Sequence, residues 1–126
     1  MGGKGGGEGA HAARMLPSDV RVGEAERIVR AALKSDRVPL HFTRREGCFL
    51  PHLDPAARLA RPETSMASVL VHLRKEMRLE RHQAMIVLLP FLRLPPSSAT
   101  VAQVHAECAG EDGLLRLLYS SEEAFG

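Results

Sequence analysis

Thr64-Ser65-Met66-Ala67-Ser68-Val69-Leu70-Val71-His72-Leu73-Arg74-Lys75-Glu76-Met77, followed by the short apolar block Met85-Ile86-Val87-Leu88-Leu89, is the stretch on which the architecture turns. Met66, Val69, Leu70, Leu73 and Met77 recur at the spacing of a helix with one apolar face. Thr64 or Ser65 supplies a side-chain oxygen for the first free amides of that helix, and Leu79 lies beyond its end. The block from Met85 to Leu89 does not alternate between apolar and polar residues, so it reads as a strand apolar on both sides. Such a strand needs cover on both faces of its sheet. The helix just upstream can cover only one of them.

Working outward, the other cover is found near the start of the chain. From Glu24 to Leu33, the residues Ala25, Ile28, Val29, Ala32 and Leu33 recur at helical spacing, with Glu24 and Glu26 early and Arg30 and Lys34 late, as the helix dipole favours. Val38-Pro39-Leu40-His41-Phe42-Thr43 then reads as a strand, and Pro39 restricts it to an edge or a strand-start position. Ala57 to Ala60 forms a short second strand after a proline-broken loop. Downstream, Pro95-Pro96-Ser97-Ser98 is a turn into a short helix with Val101, Val104 and Cys108 on one side, capped by Ser98 or Thr100. Leu114 to Leu118 is a further two-faced strand, interrupted by Arg116. The order helix, strand, strand, helix, strand, short helix, strand predicts an α+β domain, a ubiquitin-like β-grasp with an additional N-terminal helix packed on the sheet.

With 126 residues, 44% hydrophobic and 25% charged, the chain suits one small domain with a single core. Residues 1–20 are set apart by Gly2-Gly3-Lys4-Gly5-Gly6-Gly7-Glu8-Gly9, which has nothing apolar to bury and is expected to be a flexible tail. The domain is expected to span 21–120, leaving 121–126 as a mobile tail. Lys4 has no strand before it, so the glycines are no phosphate cradle. Gly6 stands where an N-myristoylation signal wants Ser or Thr. A net charge of +2 and only 4% aromatic residues argue against nucleic acid as a partner. The apolar run near Met85 to Pro90 is far too short to span a bilayer, and no charged start precedes an apolar signal core. Cys48 and Cys108 lie far apart without Cys-x-x-Cys spacing, which fits a reducing compartment, and a cytoplasmic protein is expected.

Candidate chemistry is thin. His105 and Cys108 stand one helical turn apart, but no further ligand pair has matching spacing, so neither a metal site nor a Cys-His nucleophile is expected. His41, His52, His72 and His82 are isolated and read as surface or packing histidines. Ser97-Ser98 lacks the Gly-x-Ser-x-Gly elbow and reads as turn and cap. Arg44-Arg45 and the segment from Arg78 to Arg81 read as solvated charge. No catalytic residue is assigned, and the chain is not expected to be an enzyme. The sequence closes on Phe125-Gly126, and a terminal glycine suits carboxyl activation, since without a Cβ it passes through a narrow enzyme channel.

Five blocks carry a family likeness: Glu24-Ala25-Glu26-Arg27-Ile28, Asp36-Arg37-Val38-Pro39, Leu73-Arg74-Lys75-Glu76-Met77-Arg78-Leu79, Leu94-Pro95-Pro96-Ser97-Ser98-Ala99-Thr100, and Glu111-Asp112-Gly113-Leu114-Leu115 through Tyr119-Ser120 to Phe125-Gly126. In order and in register from about Arg21 to Gly126, they resemble the autophagy-related ubiquitin-like modifiers of the GABARAP and light-chain-3 type.

The resemblance implies a modifier activated at Gly126 by an E1-like enzyme, passed to an E2-like cysteine and joined to phosphatidylethanolamine on the autophagosomal membrane. That lipid is the one covalent group implied, and no cofactor is. A processing or deconjugating cysteine protease is a further implied partner. The resemblance also implies capture of cargo receptors and adaptors through aromatic-x-x-aliphatic peptides that add a strand to a sheet edge. The family's aromatic pocket maps onto Ile28, Pro39, Leu59 and Leu114, and its aliphatic pocket onto Arg58, Ala60, Val69 and His72, with Leu40 in the same peptide-binding set. Family members commonly offer tyrosine, valine, phenylalanine and leucine at the four aliphatic-pocket positions, so an altered or weakened preference is expected. Pro55-Ala56-Ala57 stands where lysines usually precede the edge strand, leaving Arg37, Arg44 and Arg58 as candidates to attract acidic flanks of the peptide. Two other outcomes of the same fold are conjugation to a lysine of another autophagy protein, and an unconjugated binding domain.

Overall fold

The computed structural model describes residues 22–122. The glycine-rich segment at 1–20 and the ending Phe125-Gly126, with the roles expected of them, lie outside the described residues. The first helix, α1, runs Val22–Ser35 and is followed by β1, Val38–Arg44, and β2, Ala57–Ala60. Next come α2, Met66–Glu76, and β3, Met85–Leu88, then a single 3-10 turn at Pro90–Leu92, α3 at Val101–Cys108 and β4 at Leu115–Ser121. Every element expected from the apolar periods is present. β2 has the bounds expected of it, and other boundaries shift by up to three residues because helix ends and strand ends are set by caps and partners rather than by period.

The strands form one sheet in the order β2-β1-β4-β3. β1 is antiparallel to β2 and parallel to β4, while β3 is antiparallel to β4. β1 is therefore interior despite its proline. Pro39 meets the strand-start condition instead: pairing with β4 begins at Leu40, opposite Leu115, so the missing amide of Pro39 falls outside that ladder.

On one face of the sheet, Val38, Leu40, Phe42, Leu115, Leu117 and Tyr119 form a continuous core with Met66, Val69 and Leu73 of α2 and Val101 and Val104 of α3. The segment between β1 and β2 adds Cys48, Leu50 and Leu53 to that core, which no periodic pattern announced. Tyr119 fastens the segment in place. Its hydroxyl donates to the Pro51 carbonyl at 2.7 Å and accepts from the Leu53 amide at 3.1 Å.

The N-termini of α2 and α3 are interlaced. Ser65 caps α2 by accepting from the Ser68 amide, and Thr100 caps α3 in a reciprocal box with Gln103. Amides that a helix start leaves unpaired are satisfied by the strand leading into the other helix: Met66 N–H donates to Ala99 O and Ala67 N–H to Ser97 O, while Val101 N–H donates to Thr64 O and Ala102 N–H to Pro62 O.

The opposite face of β1 and β2 is covered by α1. Ala25 and Ala32 are buried there, with Ile28 and Val29 half-buried beside them. Leu33 departs from its expected place and is 83% exposed. At about 100° per residue it sits at the flank of the stripe formed by the other four, beyond the reach of the sheet.

Candidate functional site

β2 is an edge strand with a different surface on each side. It pairs with β1 alone, in the register Val38 to Ala60, Pro39 to Leu59, Leu40 to Arg58 and His41 to Ala57. Because successive side chains of a strand point to opposite faces, Leu59 lies on the α1 side, and Arg58 and Ala60 lie on the α2 side. All four residues of β2 are half-buried, and the outer edge of the strand has no partner among the described residues.

On the α2 side is a groove of about 380 Å³ whose lining takes in the β2 residues Arg58, Leu59 and Ala60, Leu40 and Phe42 of β1, Val69, His72 and Leu73 of α2, and Arg61, Thr64 and Ser68. Arg58, Ala60, Val69, His72 and Leu40, assigned to peptide binding from the sequence, are thus gathered around one cavity. Its floor is apolar, since Leu40, Phe42, Val69 and Leu73 all belong to the core.

Arg58 is locked at the wall of this groove. Its Nη1 and Nη2 donate to Glu76 Oε1 and Oε2 at 2.6 and 2.7 Å, and its Nε donates to the Pro55 carbonyl at 2.8 Å. The bidentate hydrogen bond holds the Glu76 carboxyl below its ordinary range and raises the Arg58 guanidinium further above neutrality, so the pair stays ionised at neutral pH. Sequence reasoning missed Glu76. Eighteen residues separate it from Arg58, on a helix and a strand, and no periodicity links the two.

On the α1 side, Pro39 and Leu59 are direct cross-strand neighbours, and α1 packs over both strands. Ile28 on that helix is half-buried. Leu114 immediately precedes the β4 residue paired with Leu40, as Pro39 immediately precedes Leu40 itself, so the two fall on the same face. Leu114 is fully buried, which makes it a floor rather than a rim. The next glycine back, Gly113, has a positive φ of 89°, and a Cβ there would meet Val29 Cγ1 at 3.4 Å, so α1 closes tightly over this end of the sheet.

Two of the arginines suggested for acidic flanks are already engaged within the domain: Arg58 with Glu76, and Arg44 with the Leu50 and Cys48 carbonyls. Arg37 and Arg61 are both exposed at the same end of the β1–β2 ladder, flanking the Val38–Ala60 pair. Other candidate chemistry resolves into structural roles. His105 Nε2 bonds to the Gly113 carbonyl at 2.6 Å, and Arg93 Nη2 reaches Cys108 Sγ at 3.4 Å. His41 is buried beside Thr43, whereas His52, His72 and His82 are exposed.

A family model described as autophagy protein Atg8, ubiquitin like, matches residues 20–126. Autophagy-related protein 8 of Scheffersomyces stipitis is 32% identical over 110 residues, covering 87% of this chain and 77% of that protein. Autophagy-related protein 8 of Candida albicans is 31% identical, covering 87% and 79%. Autophagy-related protein 8d of Arabidopsis thaliana is 29% identical, covering 87% and 88%. Among solved structures, Trypanosoma brucei ATG8 superimposes with a TM-score of 0.72 over 82% of this chain and 90% of that one, at 24% identity, a likeness of fold.

Proposed function

The chain belongs to the Atg8 family of ubiquitin-like autophagy proteins, and from that premise we propose that it is joined through Gly126 to phosphatidylethanolamine and, so anchored, gathers partners by adding their extended segments to β2. It is a ubiquitin-like modifier of autophagy. Its partners as classes are the autophagy conjugation machinery and cargo receptors. In this proposal E1-like and E2-like enzymes and a cysteine protease act at the terminal glycine.

The observation that carries the binding half is the two-sided edge. On an extended peptide, side chains three positions apart point to opposite faces, so an aromatic-x-x-aliphatic segment laid along β2 directs one anchor toward Leu59 and Pro39 and the other into the groove of Arg58, Ala60, Val69 and His72. Backbone hydrogen bonds along the open edge of β2 supply the remaining affinity.

For the anchoring half, the support is that the family match extends through Gly126. No helix among the described residues is long and apolar enough to cross a membrane. A two-chain lipid anchors a domain to a bilayer because each buried methylene contributes about 0.8 kcal/mol and two acyl chains hold where one is marginal. The proposed locations follow: cytoplasm before conjugation, autophagosomal membrane after it.

The test is to express the chain with its conjugation machinery and weigh the product by mass spectrometry beside Gly126→Ala. A phosphatidylethanolamine adduct that disappears in the variant is expected. A linkage to a protein lysine, or no adduct at all, would overturn the lipid assignment.

A further inference from the structure

We propose that the groove on the α2 side of β2 selects an aromatic second anchor, so that this chain prefers aromatic-x-x-aromatic segments to aromatic-x-x-aliphatic ones. The inference rests on the strand-addition reading above and specifies its ligand.

Arg58 carries it. A guanidinium is planar, and its N–H donors point outward in that plane. Here Nε, Nη1 and Nη2 are each already bonded, to the Pro55 carbonyl and to both oxygens of Glu76. These three bonds hold the plane in place and leave one N–H on each of Nη1 and Nη2, together with the two flat faces. Arg58 lines the groove, so a ring entering the cavity meets a cation held in place by three of its five N–H donors.

Each class of anchor fares differently there. A carboxylate would meet a guanidinium already neutralised by Glu76 and would be repelled by that carboxylate, and a basic side chain would be repelled by Arg58. An aliphatic side chain gains contact with the floor and nothing from the cation. An aromatic ring gains both, since its negative face is attracted to a guanidinium and the attraction grows as the pair is desolvated. The size of the cavity points the same way. At about 380 Å³, with Ala60 the small residue on the strand side and Leu40, Phe42, Val69 and Leu73 beneath, it has room for a ring. His72, exposed at the rim, offers a second flat surface.

The experiment titrates the full chain with peptides identical except at the last anchor, Trp-x-x-Phe against Trp-x-x-Leu, by calorimetry. The expected result is about 3- to 10-fold tighter binding of the phenylalanine peptide. Arg58→Met, which keeps the stem and removes the cation, should reduce the difference while leaving saturable binding of both peptides, and Ala60→Val should narrow the groove and favour the leucine peptide. Circular dichroism confirms that each variant is folded. Equal affinities in the unaltered chain, or tighter leucine binding, overturn the aromatic preference and leave strand addition standing. If neither peptide saturates, strand addition itself fails and takes this inference with it.

Discussion

Tyr119 shows how much one side chain can hold in place. It is almost fully buried in β4, and its hydroxyl is the hydrogen-bond partner of both Pro51 and Leu53, in a segment that contributes Leu50 and Leu53 to the core without regular structure of its own. Tyr119→Phe leaves the Leu53 amide without its acceptor. The expected cost is about 1–3 kcal/mol, read as a lower urea midpoint with an unchanged slope. Burial also pushes the Tyr119 phenol above its ordinary range. A group whose folded pKa is raised contributes stability that is whole below its unfolded value, about 10, and is lost as pH rises through the folded one. The unaltered protein should therefore lose stability above about pH 10 more steeply than Tyr119→Phe, in denaturation midpoints measured across that range. Arg58 makes a related point about reading sites from sequence. Its position in the groove was legible from the family likeness, but its partnership with Glu76 was not, because a strand-to-helix ion pair leaves no mark in either residue's neighbourhood along the chain.

Among the elements, the interlaced starts of α2 and α3 have the clearest consequence. Capping residues are legible in sequence, and the choices left open at Thr64 or Ser65 and at Ser98 or Thr100 resolve to Ser65 and Thr100. The bonds between the two helix starts were not legible, since each joins residues thirty or more positions apart. Thr100→Ala should remove the capping box and cost about 1 kcal/mol. Because Thr64 and Ala99 carbonyls serve each other's helix, the loss should also speed amide exchange in the first turn of α2, a region the substitution does not touch. Exchange changes confined to α3 would contradict the coupling. Periodicity placed the seven main elements because each has an apolar face to bury, but it gave β1 two allowed positions. The choice between edge and interior was made by where pairing with β4 begins, a tertiary fact.

At the scale of the molecule, function follows from which strand is left at the margin. The sheet ends in β2 on one side and β3 on the other, and of the two only β2 adjoins both the α1 surface and the Arg58 groove. A bound peptide would become a fifth strand. Saturating Trp-x-x-Phe peptide should therefore slow exchange of the outward amides of Ala57 to Ala60 while leaving Met85 to Leu88 unchanged, and protection at β3 instead would place the partner on the wrong margin. Family and fold were legible from ordered blocks and element order. The aromatic preference was not, because it depends on a cavity that only the packing of α2 against β1 and β2 creates. The parallel pairing of β1 with β4 has a mechanical side as well. A tether drawn from beyond β4 and a load applied ahead of β1 would pull these neighbours lengthwise past each other, so the bonds from Leu40 to Arg44 would share the strain and yield together, whereas a hairpin pulled from its open end unzips one rung at a time. A domain held beyond β4 and loaded ahead of β1 would thus resist the pull with the whole ladder at once.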